Sequence, residues 1–383
     1  MKEIEELKLR LGWGKTGQQD GIGDYNYFAA YDVNTNNTDG RYPINGVNKD
    51  GLLYRPQAYN SDLKWETTTT WNAGLDIALF RNRVTASVDA YYRKTTDLIN
   101  TASVPAGSNF RNQVTSNIGT LENKGIEASL TVRPIQTDDF RWEITGNFTY
   151  NKNEITELTG EASRVKANDG GISAGTGNVV KYHTVGQPAG SFFVYQQVYD
   201  EAGRPLEGVY VDRNGDGQIS ESDKYFYKSP AAPYLAGLSM KFMYKAWDFG
   251  FNLRASFDNY VFNDRQASYV NVSKRYDSSF NYLQNTTAQA VKDNWSTYDH
   301  VLSDRFVQNA SFLKCDNITL GYSFENLFKG GSYNGVSGRI YLAATNVFTI
   351  TKYDGLDPEV ESGIDNSMYP RPFTIQAGLN LNF

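Results

Sequence analysis

The chain has 383 residues, with 37 Lys and Arg against 43 Asp and Glu, a formal net charge of −6, one Cys and two His. A single cysteine excludes an internal disulfide framework and any multi-cysteine metal site, two histidines leave little room for histidine-based catalysis, and the negative charge argues against a nucleic-acid footprint. Aromatic residues make up 14% of the chain, yet no run approaches the ~18 apolar residues of a transmembrane helix, which excludes helical spans only, because a barrel strand needs just ~9–11 residues, half of them polar.

The N-terminus, Met1-Lys2-Glu3-Ile4-Glu5-Glu6-Leu7, shows no basic segment followed by an apolar one, so no signal peptide is visible. It runs into a first strand pattern at 5–14. Strict alternation then covers 63–79, where Leu63, Trp65, Trp71, Ala73, Leu75, Ile77 and Leu79 oppose Lys64, Glu66, Asn72 and Asp76. After the turn Phe80-Arg81-Asn82, Val84, Ala86, Val88, Ala90 and Tyr92 continue the same alternation. Segments 125–133 and 140–151 form another pair, 234–244 and 247–257 a third around Lys245-Ala246, and 311–324 and 339–349 a fourth. The strand 371–383 ends the chain.

The sequence therefore predicts an all-β chain of about ten antiparallel strands. The connections near 80–83, 134–139, 245–246 and 325–338 are short or medium, and those near 15–62, 95–124, 152–233, 258–310 and 350–370 are long. Antiparallel succession puts all the long loops on one side, the asymmetry of outer-membrane barrels. A soluble sandwich gives the same period, but aromatic placement favours the barrel. In 247–257 the apolar face reads Trp247, Phe249, Phe251, Leu253, Ala255 and Phe257. Ten residues at ~3.3 Å rise, tilted about 40°, span roughly 25 Å, the height of a barrel's apolar band. At the C-terminus Phe373, Ile375, Ala377, Leu379, Leu381 and Phe383 occupy alternate positions, a pattern similar to the assembly signal of outer-membrane barrels.

Five stretches in order resemble the SusC/RagA family of TonB-linked outer-membrane transporters: LKLRLGWGKTG (7–17), LKWETTTTWNAGLDIALFRNRVTASVDAYYRKTTDLI (63–99), IGTLENKGIEASL (118–130), SFLKCDNITLGYSF (311–324) and NVFTITKYDGLDPEV (346–360). The resemblance covers nearly the whole chain and matches the C-terminal part of such proteins. It implies a 22-stranded barrel filled by an N-terminal plug and energised by the TonB complex through a segment near the N-terminus. It also implies a SusD-like surface lipoprotein as a lid, outer-membrane lipid around the barrel, and a glycan or peptide as cargo. About ten strands cannot close such a barrel, so the chain is expected to be a piece of a longer receptor, with Met1 internal and the signal peptide, plug and first strands absent. The strongest competing reading is a soluble or surface β-rich module, calcium-stabilised and carbohydrate-binding or adhesive.

Within the expected external loop 200–232, residues 212–223 read Asp-Arg-Asn-Gly-Asp-Gly-Gln-Ile-Ser-Glu-Ser-Asp, which fits a calcium-loop pattern. Asp212, Asn214 and Asp216 would offer side-chain oxygens and Gln218 its carbonyl. Ser220 would contribute directly or through water, and Asp223 would close the loop with a shorter reach than Glu. The same residues also suit an Asx-rich turn without metal. No cofactor is required by this reading; calcium would be structural.

His183 and His300 fall in expected loops as surface residues. No G-x-S-x-G, P-loop or H-E-x-x-H pattern marks an enzyme. Tyr25, Tyr27, Phe28 and Tyr31 cluster in the first long loop and Tyr269, Tyr276, Phe280 and Tyr282 in the fourth. They suit either sugar stacking or, the favoured reading, packing of the loops on each other. Cys315 is expected as a small buried side chain on a strand. No substrate-binding residue is assigned.

Overall fold

The computed structural model describes residues 3–24, 26–34, 53–105, 107–111, 113–158, 164–175, 177–270, 276–277, 281–283, 285–296, 301–327, 335–366 and 369–382. Tyr25, Phe280, His300 and Phe383, each singled out above, lie outside the described residues. Ten long strands form one antiparallel sheet in strict chain order: β1 (Ile4–Gln18), β2 (Glu66–Leu79), β3 (Val84–Thr96), β4 (Gly119–Gln136), β5 (Phe140–Leu158), β6 (Tyr234–Tyr244), β7 (Trp247–Phe257), β8 (Phe312–Leu327), β9 (Val336–Thr351) and β10 (Thr374–Asn382). The expected number of strands and the alternation of short and long connections are both found. The last strand begins at Thr374 rather than at 371. Pro372 has no N–H to give to a ladder, and Arg371 is held instead by Glu359 and Asp357.

Register makes one face continuously apolar. Leu9, Leu75, Val88, Ala128, Phe148, Ala236, Ala255, Leu313 and Ile350 are cross-strand neighbours in a single row over nine strands. Leu11 on this face is 76% exposed and Ile375 67%. Among the described residues no second sheet covers it, as a sandwich would require. Apolar area of this extent left bare identifies the face that meets lipid.

Aromatic residues gather at both ends of this face. Near the short turns, Phe140 packs on Tyr244 and Trp247 on Tyr322, with centroids 6.4 and 4.8 Å apart. Toward the long loops, Trp71 packs on Tyr92 at 5.5 Å and Tyr150 on Tyr234 at 5.2 Å. These are the two girdles of a membrane barrel, where rings with a polar tip sit at the water boundary. Strands β4 and β5 have 18 and 19 residues. That exceeds what a bilayer needs, so their outer ends rise above it.

The compact hydrophobic core lies in the long loops instead of the sheet. Phe192, Val194, Phe262, Trp295, Phe306 and Ile364 belong to one buried cluster drawn from the connections after β5, β7 and β9. A four-stranded sheet (Arg164–Lys166, Lys181–Thr184, Ser191–Val194 and Tyr225–Lys228) forms part of it. Polar ties join the connections. Asp264 accepts from the backbone N–H of Ser173 at 2.7 Å and of Ala174 at 3.1 Å. The Tyr225 hydroxyl donates to Asp304 at 2.7 Å. The Phe262 N–H donates to the Gly363 carbonyl at 2.8 Å.

Candidate functional site on the polar face

The opposite face of the sheet carries the polar partners of the alternation, and three glycines shape it. The Arg10 guanidinium on β1 pairs with Asp76 on β2 and reaches over Gly74 to Asp89 on β3, both at 2.8 Å. The Tyr91 hydroxyl on β3 passes over Gly125 on β4 and donates to Asn151 on β5 at 3.0 Å. Arg339 on β9 reaches over Gly321 on β8 to Asp248 on β7 at 2.6 Å. A Cβ at Gly321 would stand 2.4 Å from Arg339 Nη2 and 2.5 Å from Asp248 Oδ1. Glycine on the middle strand is what lets side chains two strands apart meet. The Arg339–Asp248 bridge is neutral, while Arg10 faces two aspartates and leaves one negative charge on the wall.

Nearer the long loops the wall opens into a recess of about 800 Å³. Its floor includes Thr145 and Asn147 of β5, Gly237 and Ser239 of β6 and Asn252 of β7. One side is built from Arg254, Asp316, Glu359 and Arg371. A bulge places Asp316. Asn252 pairs with Asn317 and Leu253 with Cys315, so Asp316 is the extra residue on β8. Such an insertion re-aims a side chain, and here the Asp316 carboxylate turns to Arg254 Nε at 3.0 Å. Cys315 is buried on the strand, as expected.

Across this bulge the connection after β9 is fastened down. The Lys314 ammonium donates to Asp357 and to Glu359, each at 2.7 Å. Arg371 donates to Glu359 at 2.6 Å and lies 3.3 Å from Asp357, and Arg254 also pairs with Glu359. Three cations thus meet three anions. Burial by itself would push the Glu359 carboxyl up, but hydrogen bonds from Arg254 and Lys314 outweigh it and hold the group at about 2. None of these six residues was singled out from sequence. The available signal was the place of four of them, Lys314, Asp316, Asp357 and Glu359, in two of the family-like stretches, 311–324 and 346–360.

The 212–223 loop forms a closed turn. Asp212 accepts from the N–H groups of Gly215 at 2.7 Å and Gly217 at 2.8 Å. Asn214 accepts from the Asp216 N–H at 3.0 Å, and Asp216 from the Gln218 N–H at 2.8 Å. Asp223 accepts from the N–H groups of Arg213 at 2.9 Å and Ser220 at 2.7 Å, with the Ser220 hydroxyl 3.4 Å away. The Ser220 N–H bond leads the set that draws the Asp223 carboxyl below its ordinary range. Among the described residues no three His, Cys, Asp or Glu side chains gather as a metal-binding group.

The other expected residues scatter. His183 is on a short strand rather than in a surface loop, half-buried, and its Nδ1 accepts from the Gly190 N–H at 3.2 Å. The sequence pattern missed that strand because it has only four residues. Tyr27, Phe28, Tyr276 and Tyr282 are exposed and Tyr269 half-buried, so the loop packing favoured above does not enclose the first four.

A sheet with one lipid-facing side, two aromatic girdles, one polar charge-paired side and all long loops at one end defines an outer-membrane β-barrel wall. The family model described as TonB dependent receptor-like, beta-barrel matches residues 2–200, and the chain belongs to that family. It is 51% identical over 383 residues to the TonB-dependent receptor SusC of Bacteroides thetaiotaomicron, which covers 99% of this chain and 38% of that protein. It is 30% identical over 423 residues to the TonB-dependent receptor P26 of Formosa agariphila, covering 99% of this chain and 40% of that protein. Its fold matches the RagAB peptide importer in the 'open-open' state with a TM-score of 0.78 at 25% identity, covering 100% of this chain and 41% of that one. The chain therefore spans about two-fifths of the length of these relatives, and it is a SusC-like barrel portion. TonB-dependent receptors reside in the outer membrane and are transporters, not enzymes. Family membership also sets aside the soluble or surface module considered above.

Proposed function

We propose that this chain forms the barrel wall of a TonB-dependent outer-membrane importer of SusC/RagA type, with oligosaccharides as cargo. The observation that carries the cargo assignment is the polar face. It is lined by amides, hydroxyls and charges held mainly in ion pairs, so it offers many fixed hydrogen-bonding groups, which suits polyhydroxylated molecules. A SusD-like lipoprotein would cap the long-loop side, and the TonB complex would act through a plug outside this chain. Both follow from the resemblance in sequence. Growth of a strain with the receptor gene deleted, supplied with either oligosaccharides or peptides as carbon source, tests the reading. Loss of growth on oligosaccharides alone is expected, and normal growth on them overturns it.

Peptide cargo is the second reading, favoured by the likeness to the RagAB peptide importer. It predicts the opposite growth defect.

The spacing of Asp212, Asn214, Asp216, Gln218, Ser220 and Asp223 supports a structural calcium ion in the external loop 200–232. Calorimetric titration of a peptide covering 205–230 tests this. No heat at millimolar calcium removes it.

A further inference from the structure

We infer that the recess over Gly237, between Asn147 and the Arg254 and Glu359 pair, is a subsite for one neutral sugar ring of the cargo, an inference that rests on the oligosaccharide reading above. Its volume of about 800 Å³ falls within the roughly 300–1,000 Å³ of small-ligand sites.

The Asn147 amide lies on the floor because position 237 lacks a side chain. A Cβ there would stand 2.7 Å from both amide atoms of Asn147, whose side chain lies across it. Asn147 is exposed, so its amide presents a donor and an acceptor to the recess. That combination matches a sugar hydroxyl, which both gives and takes a hydrogen bond.

The Arg254, Asp316, Glu359 and Arg371 side is held by ion pairs, and Glu361 adds an exposed carboxylate to the lining. Asp316 takes Arg254 Nε at 3.0 Å and Nη2 at 3.2 Å, and Glu359 takes the same guanidinium from the other side. This fixes the plane of Arg254, yet its side chain is still 43% exposed and that of Asp316 38%. Held carboxylate and guanidinium groups with unused hydrogen-bonding capacity are preorganised partners for hydroxyls. Arg254 and Arg371 already have carboxylate partners, so an acidic ligand would have to break an existing ion pair to bind. Pro230 and Pro358 add apolar surface at the edge of the recess, against which the C–H face of a sugar ring can rest.

The test uses the full-length receptor containing this chain, in detergent. A panel of neutral di- to hexasaccharides and a tryptic digest of casein serve as probes, with affinity read by calorimetry. The tightest-binding saccharide is then titrated against Asn147→Ala, Gly237→Leu and, as a control on the same face outside the recess, Gln376→Ala. Retention of the folded barrel is checked by the gel shift between unheated and heated samples. At least about a tenfold loss is expected for Asn147→Ala and Gly237→Leu, the size of one or two lost hydrogen bonds, with Gln376→Ala unchanged. Saccharide binding that both recess variants leave intact overturns the subsite while the importer reading stands. Binding of casein peptides but no saccharide overturns the subsite and the cargo reading together.

Discussion

The Lys314 ammonium and the Asp357 carboxylate meet at 2.7 Å across 43 residues of chain, with side chains only 3% and 6% exposed. This contact joins β8 to the connection that leads into the last strand. Removing one partner of a buried pair costs up to about 3–5 kcal/mol, and Arg371, 3.3 Å from Asp357, compensates the remaining carboxylate only in part. Lys314→Met should therefore release the 352–373 connection while the ten-strand sheet stays paired. Limited proteolysis followed by mass spectrometry should show faster cleavage within 352–373 and unchanged protection of β7 and β8. Equal cleavage rates would count against the fastening role.

Glu359 gives the same region a defined pH response. Its carboxyl is held at about 2 in the folded chain, below the ~4.3 of a free glutamate. A depressed carboxyl stabilises fully above the unfolded value, and that contribution is lost as pH falls through the folded value. The connection should stay docked from pH 7 to about 5 and loosen progressively between about 4.5 and 2. Hydrogen exchange at 354–362 as a function of pH measures this, and Glu359→Gln should flatten the dependence.

The assignment of faces can be checked on two adjacent residues. Phe251 lies on the apolar face of β7 and Asn252 on the polar one, facing Asn317 at 2.8 Å. An arginine facing lipid near the bilayer midplane costs about 2–4 kcal/mol. Phe251→Arg should lower the denaturant midpoint of the receptor in lipid vesicles by that equivalent, and Asn252→Arg by much less. The reverse order would exchange the two faces.

Asp223 is fully buried and holds the ends of the 212–223 turn together. Asp223→Ala leaves the N–H groups of Arg213 and Ser220 without this acceptor. Those amides should lose hydrogen-exchange protection in calcium-free buffer, because the bonds are made by the protein itself. Protection that depends on added calcium in the wild type would show that an ion, rather than Asp223 alone, closes the turn.

The sheet was largely legible in the sequence. Alternation is local, and a segment such as 247–257 declares both its faces from its own residues, so β6 and β7 were read to their final bounds. Strand ends were less legible where a side chain is claimed by a distant partner, as Arg371 is by Glu359. The glycines of the polar face carry no local mark of purpose. Gly321 matters because Asp248 and Arg339 approach it from strands on either side.

By itself the sequence determined the strand order, the lipid-facing side and the side on which the long loops lie, because a period of two and antiparallel succession are properties of neighbouring residues. Only the tertiary structure decided that the loops after β5, β7 and β9 share one hydrophobic core, that Asp316 is a bulge residue, and that three cations and three anions converge around Glu359. Those outcomes depend on register across strands and on contacts between residues tens of positions apart, which no local pattern encodes.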